Sequence, residues 1–200
     1  MKNLLTPFRM IIISYVLSIF LFSILLWLPV SHKPGIDLTY MEALFTSVSA
    51  VSVTGLTIVN VSESLSVTGV IFLALAMQVG GIGIMTFGTL VWMLFGRKIN
   101  LSQRLLIMVD QNQYQFSGMV KLMRGIMLLA LAIEFVGALI LGTYYLQYFE
   151  TAGDAYYQGS FAALSAFTNS GFDITGQSLI PFASDYYVQF IVILLIFLGA

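Results

Sequence analysis

Leu44-Phe45-Thr46-Ser47-Val48-Ser49-Ala50-Val51-Ser52-Val53-Thr54-Gly55-Leu56-Thr57-Ile58-Val59-Asn60 is a mostly apolar run that breaks into small polar residues at a single glycine. A second stretch, Ser160 to Asp173, has the same design. Phe45, Ser49, Ala50 and Gly55 correspond to Phe161, Ser165, Ala166 and Gly171, each 116 positions further on. A repeat of that period indicates one structural unit used twice.

The apolar part of each copy is about a dozen residues, or about 18 Å as a helix, whereas crossing the hydrocarbon core takes roughly 20 residues. Such a helix can enter a membrane but not cross it. The chain then turns back at the glycine, and non-helical backbone at that depth is tolerated only where protein buries it or where it lines a water-filled cavity. A half-helix followed by bare carbonyls is the material of an ion filter. Gly55 and Gly171 suit the turn because glycine adopts positive φ at little cost and has no Cβ. A lone glycine after an apolar helix is commonly just a C-cap. The repetition, and the placement of both copies between spans, favour the re-entrant reading.

Hydrophobic residues make up 59% of the chain and charged ones 8%, against about a quarter charged in soluble domains. This is the composition of an integral membrane protein. With no cysteine and one histidine, His32, neither a disulfide framework nor a thiolate or histidine metal cluster is available. His32, beside Lys33 and Pro34, reads as a loop residue and not a catalyst.

Along the chain, 1–96 reads as a first repeat, with spans over 8–30 and 67–95, a short helix over 39–51 and a turn at 52–56. Thr39 and Glu42 offer a capping box that starts the short helix. Its negative C-terminal end then points at Thr54 and Gly55, which suits a cation. Gly80, Gly81 and Gly83 interrupt the second span. Close helix packing is the better account of them, a hinge is the functional rival, and a dinucleotide loop has no preceding strand to support it. Residues 97–124 form a basic water-facing connection, in which Leu101 to Gln111 reads as an amphipathic helix that lies on lipid headgroups or docks a soluble partner. Residues 125–200 read as a second, incomplete repeat: a span over 119–148, a short helix over 155–167, a turn at 168–172 and a last apolar run from Tyr186. That run is about 15 residues where it stops, short of a crossing, so the chain reads as the front part of something longer.

If connections alternate sides, Lys2, Arg9, Arg97, Lys98, Arg104, Lys121 and Arg124 collect on one side and only Lys33 on the other. Positive residues mark the cytoplasm, so the N-terminus is expected inside and both turns open outward. Asp37, Glu42, Glu63, Glu150, Asp154, Asp173 and Asp185 then lie outside, where they raise local cation concentration. Glu134 is left in mid-span. It is a functional candidate, or a protonated or hydrogen-bonded carboxyl tying the third span to the pore helix, while Gln78 reads as an interhelical hydrogen-bond partner.

At these residues the sequence resembles the Trk/Ktr/HKT superfamily of potassium transporters, in particular the membrane subunit of the bacterial Ktr type. The resemblance rests on Ala43-Leu44-Phe45-Thr46 before Ser52-Val53-Thr54-Gly55-Leu56, on Gln78-Val79-Gly80-Gly81-Ile82-Gly83-Ile84-Met85-Thr86-Phe87, and on Ser165-Ala166-Phe167-Thr168-Asn169-Ser170-Gly171-Phe172. It implies an all-α integral membrane protein of span, pore helix, filter loop and span units, with two of an expected four on this chain. It implies that the carbonyls of Val53, Thr54, Gly55, Asn169, Ser170 and Gly171 are two of four filter walls for K+. Gly55, where sodium-carrying plant relatives have serine, is potassium-like. The resemblance further implies a homodimer on a ring of cytosolic nucleotide-binding subunits, in the cytoplasmic membrane. It implies no cofactor on this chain itself, with Na+ left open as a coupling or activating ion. No nucleic-acid partner is expected. One glycine per turn predicts weaker selectivity than the two-glycine turn of potassium channels.

Two other function classes use the same residues. An intramembrane enzyme would employ Glu134 or a serine, but nothing supplies the base and there is no Gly-x-Ser-x-Gly elbow. A scaffold of the same architecture would conduct nothing.

Overall fold

The computed structural model describes residues 7–84, 86, 87, 109 and 119–200. Among them the structure is helical, without a strand; one isolated β-bridge joins His32 to Leu65. The chain runs α1 (Pro7–Trp27), α2 (Tyr40–Val51), α3 (Val61–Ser64), α4 (Val67–Ile82), α5 (Met119–Tyr145), α6 (Ala152–Phe167) and α7 (Tyr186–Gly199).

Apolar side chains surround α1 and α5 on all faces, and two windows, Arg9–Trp27 and Lys121–Tyr145, are long and apolar enough to cross a membrane. Only 17% and 28% of them are buried within the protein. Leu17 on α1 and Phe135 on α5 are 63% and 64% exposed. Apolar surface of that extent finds its partner in lipid and not in water. Helix α1 ends before Pro29, whose ring cannot donate to the preceding turn, and a single 3-10 turn over Pro29–Ser31 redirects the chain.

Helix α2 begins as its sequence specifies. The backbone N–H of Glu42 donates to Thr39 Oγ1 at 3.3 Å and Glu42 Oε2 accepts from the Thr39 backbone at 2.7 Å, closing the capping box. Its buried face is built of small residues, Ala43, Ser47, Ser49 and Ala50 among them, which let it pack closely against α1 and α4. Helix α4 starts at the Ser66 cap, where Gly69 N–H donates to Ser66 Oγ at 3.2 Å. It stops at Ile82: Gly83 has φ +92°, and its N–H turns back to Gly80 O at 3.2 Å. The long uncharged run to Phe95 is thus not one helix from its start; residues 88–95, like the amphipathic segment Leu101 to Gln111, lie outside the described residues.

Helix α6 starts at Ala152, earlier than Ala155, because Thr151 caps it. Asp154 N–H donates to Thr151 Oγ1 at 3.1 Å, and that hydroxyl donates to Asp154 Oδ2 at 2.6 Å. It packs tightly on α5 through Gly159, where an added Cβ would overlap the Gly142 backbone. Asp185 accepts from the N–H groups of Tyr187 and Val188 and caps α7.

Two cores result. One joins α1, α2 and α4, the other α5, α6 and α7, and Phe161, Phe172 and Ile174 of the second half reach into the first.

Candidate functional site

The C-terminal ends of α2 and α6 unwind through the same set of bonds. After α2, Ser52 N–H donates to Val48 O (2.9 Å), Val53 N–H to Ala50 O (3.2 Å) and Thr54 N–H to Ser49 O (2.9 Å). After α6, Thr168 N–H donates to Leu164 O (2.9 Å), Asn169 N–H to Ala166 O (3.1 Å) and Ser170 N–H to Ser165 O (3.0 Å). Every donor and acceptor recurs 116 residues on. The backbone dihedrals recur as well: Val53 and Gly55 have φ of 54° and 77°, Asn169 and Gly171 of 57° and 72°. Glycine takes the left-handed region freely and asparagine tolerates it, but for a β-branched valine it is strained. Strain held at Val53 by the surrounding bonds marks a place where the backbone shape matters.

Side-chain hydroxyls brace both turns alike. Ser52 Oγ donates to Val48 O at 2.7 Å and lies 2.7 Å from Thr54 Oγ1. Thr168 Oγ1 donates to Leu164 O at 2.8 Å and lies 3.1 Å from Ser170 Oγ. These four residues act as two equivalent hydroxyl pairs. Sequence reasoning named Thr54 and Ser170 only for their carbonyls and passed over the hydroxyl relation, though Ser-x-Thr and Thr-x-Ser at matching positions were its visible signal.

The two turns touch. A Cβ on Gly55 would overlap Ser170 O and come within 3.3 Å of Gly171 Cα. With the N–H groups of residues 52–54 and 168–170 turned back to their helices, the carbonyl oxygens are left over. Among the described residues none donates a hydrogen bond to the oxygens of Val53, Thr54, Gly55, Asn169, Ser170 or Gly171. The structure therefore brings Gly55 of the first turn against Ser170 and Gly171 of the second, with Val53, Thr54 and Asn169 next to them along the chain. The negative ends of two helix dipoles point at that contact, and an oxygen-rich site of that polarity can hold a hard monovalent cation, not an anion. Beside the second turn a cavity of about 210 Å³ is lined by Ser165, Asn169, Gly171, Asp173 and Tyr145, among others.

Helix α4 seats both turns. A Cβ on Gly80 would overlap Val51 O, one on Gly81 would come within 2.9 Å of Thr168 Cβ, and Ser170 Oγ donates to Met77 Sδ at 2.9 Å. Gly80 and Gly81 are thus packing glycines, and the positive φ belongs to Gly83. Gln78 Nε2 donates to Glu134 Oε2, so the interhelical role expected of Gln78 is observed. Glu134 is tied to α4 and, among the described residues, to neither short helix, α2 nor α6. His32 is no free loop residue: its Nε2 lies 2.9 Å from Leu26 O and its Nδ1 accepts from Leu38 N–H at 3.5 Å. That use of both ring nitrogens leaves it unsuited to acid–base chemistry.

Residues 3–200 match the family of TrkH cation transport proteins. The chain is 55% identical over 98% of its length to the Ktr system potassium uptake protein D of Bacillus subtilis, and 35% identical over 97% to the Ktr system potassium uptake protein B of the same organism. It is 32% identical over 99% to the potassium/sodium uptake protein NtpJ of Enterococcus hirae. These alignments cover 44%, 43% and 44% of the relatives, so the chain spans less than half their length. The relatives are transporters and not enzymes, which removes the intramembrane-enzyme reading of Glu134. With its match extending over nearly every residue, and with two described helices fit to cross a bilayer, the chain belongs to the TrkH cation transport protein family.

Proposed function

We propose that this chain supplies two walls of a potassium-conducting path, each built as span, re-entrant helix, filter turn and span. The observation that carries the reading is the contact between two turns with the same bonds, whose six carbonyl oxygens have no donor among the described residues. Inward-facing peptide oxygens replace the water that a monovalent cation sheds. Potassium is the cargo because the relatives named above are potassium uptake proteins and because Gly55 leaves no side chain at the contact. Further copies of the unit, from the same polypeptide or another, complete the ring, and a homodimer on a cytosolic nucleotide-binding ring is the assembly that the family resemblance implies. Sodium, named with potassium in one relative, is the candidate coupling or activating ion.

Potassium-dependent growth of a transport-deficient host carrying the full-length protein tests the path. Gly55→Ser is expected to cut uptake by about tenfold or more, or to let sodium through, since a steric fault in a filter acts on every ion. Unchanged uptake and ion preference would remove the filter assignment. Flux into liposomes separates conduction from a scaffold that conducts nothing.

A further inference from the structure

Glu134 is the one acidic residue on α5, and it is 8% exposed, as is Gln78 opposite it on α4. Among the described residues no charged group faces it from the helices around it. Helix α4 carries no ionisable side chain. Helix α6 carries Asp154 in its first turn, Tyr157 beside the outer recess that Glu150 lines, and Tyr156, whose ring lies on Gly142 two turns away. Helix α7 carries Tyr186 and Tyr187 at its start, the latter with its ring tilted against Tyr144, centroids 4.4 Å apart. On α5 itself Arg124 is about 15 Å distant along the axis.

Within that apolar surrounding the carboxyl has one partner among the described residues, the donating Gln78 Nε2. Glu134 Oε1 and Gln78 Oε1 are both shut off from solvent and without a donor. An ionised carboxylate would leave a charge and two acceptor oxygens uncompensated, the least favourable state for buried polar groups. A single proton resolves both. Placed on Glu134 Oε1, it makes that oxygen a donor, and Gln78 Oε1 belongs to the very amide that already donates to Oε2.

We infer that Glu134 stands protonated and closes a neutral acid–amide pair with Gln78, and that this pair is a positioning device for the ion path. It locks α4 to α5 next to Met77, Gly80 and Gly81, the residues that seat the two turns. The pairing and its proton stand on geometry alone; the effect on ions rests on the carbonyl-path reading above.

The test uses the full-length protein in liposomes. Infrared spectra at neutral pH are expected to show the stretch of a protonated carboxylic acid that Glu134→Gln removes; loss of a carboxylate band instead overturns the inference. The exchange Gln78→Glu with Glu134→Gln puts the same atoms back in reverse order, so uptake within about twofold of the parent and an unchanged K+ over Na+ preference are expected. Gln78→Leu and Glu134→Leu, at matched membrane levels, are expected to lower that preference severalfold, and Glu134→Gln to restore it with the parent's pH profile. An exchange variant no better than the leucine variants overturns the pairing, and if the leucine variants do not fold, the spectra and the exchange decide. The acid band in the parent, together with full preference in both leucine variants, keeps the pair and overturns its link to the path.

Discussion

At the scale of single residues the two turn glycines are not equivalent. Gly55 combines φ +77° with backbone of the opposite turn where its Cβ would stand, whereas Gly171, at φ +72°, has only Gly55 Cα at 3.8 Å. Alanine at Gly171 meets left-handed strain of roughly 1–2 kcal/mol; alanine at Gly55 meets that strain and must also push the turns apart. Potassium uptake by the full-length protein is therefore expected to fall much further for Gly55→Ala than for Gly171→Ala, and equal losses would mean that the contact between turns is irrelevant. On the outer side the Tyr148 hydroxyl donates to Asp185 Oδ2. That bond holds the Asp185 carboxyl below its ordinary range and pushes the Tyr148 hydroxyl up to about 12. A depressed carboxyl contributes stability above its unfolded value of about 3.9 and loses it as the pH falls through the folded value. A raised phenol contributes below about 10 and loses it as the pH rises through the folded value. Thermal unfolding in detergent should accordingly show Tyr148→Phe less stable than the parent at neutral pH, with the gap closing on acidification below about 4; a gap that does not change with pH would argue against the pair.

At the scale of elements the caps decide where the short helices begin. Thr39→Ala and Thr151→Ala each remove a side-chain acceptor from the first turn, and each is expected to cost about 1 kcal/mol in denaturant unfolding of the full-length protein. If α6 began at Ala155, Thr151→Ala would be silent. The start of α2 was legible from Thr39 and Glu42, because a capping box is local. The turns were legible because the 116-residue repeat doubles every signal, and the structure repeats the bonds as well as the letters. The start of α6 was not, since Thr151-Ala152-Gly153-Asp154 carries a glycine that reads as loop, although Thr-x-x-Asp caps as Thr-x-x-Glu does. The break at Gly83 was hidden within a run whose hydropathy does not change across it. The partner of Glu134 was out of reach for another reason: residues 78 and 134 meet only through the packing of two helices, and no spacing along the chain encodes that meeting.

At the scale of the whole molecule, charge and contact are the two separate grounds for the proposed orientation. Lys33 lines the same outer recess as Glu150 and Asp154, so the connections that follow α1 and α5 lie on one side. Both turns reach the same level from that side, which requires an even number of crossings between them. The described bases Arg9, Lys121 and Arg124 sit at the opposite ends of their helices from Trp27 and Tyr145, and an excess of bases marks the cytoplasmic face. Residues 1–200 contain no cysteine, so single thiols introduced there test the proposal in the full-length protein once any cysteine outside them is replaced by serine. Ser62→Cys and Gln177→Cys are expected to react with a membrane-impermeant thiol reagent in intact cells, and Lys121→Cys only after permeabilisation. Labelling of Ser62→Cys and Gln177→Cys from opposite sides would contradict the shared level of the two turns and, with it, any path that both of them line. Labelling of all three from the cytoplasm would invert the orientation while leaving the paired turns intact, so the experiment separates the charge argument from the contact argument.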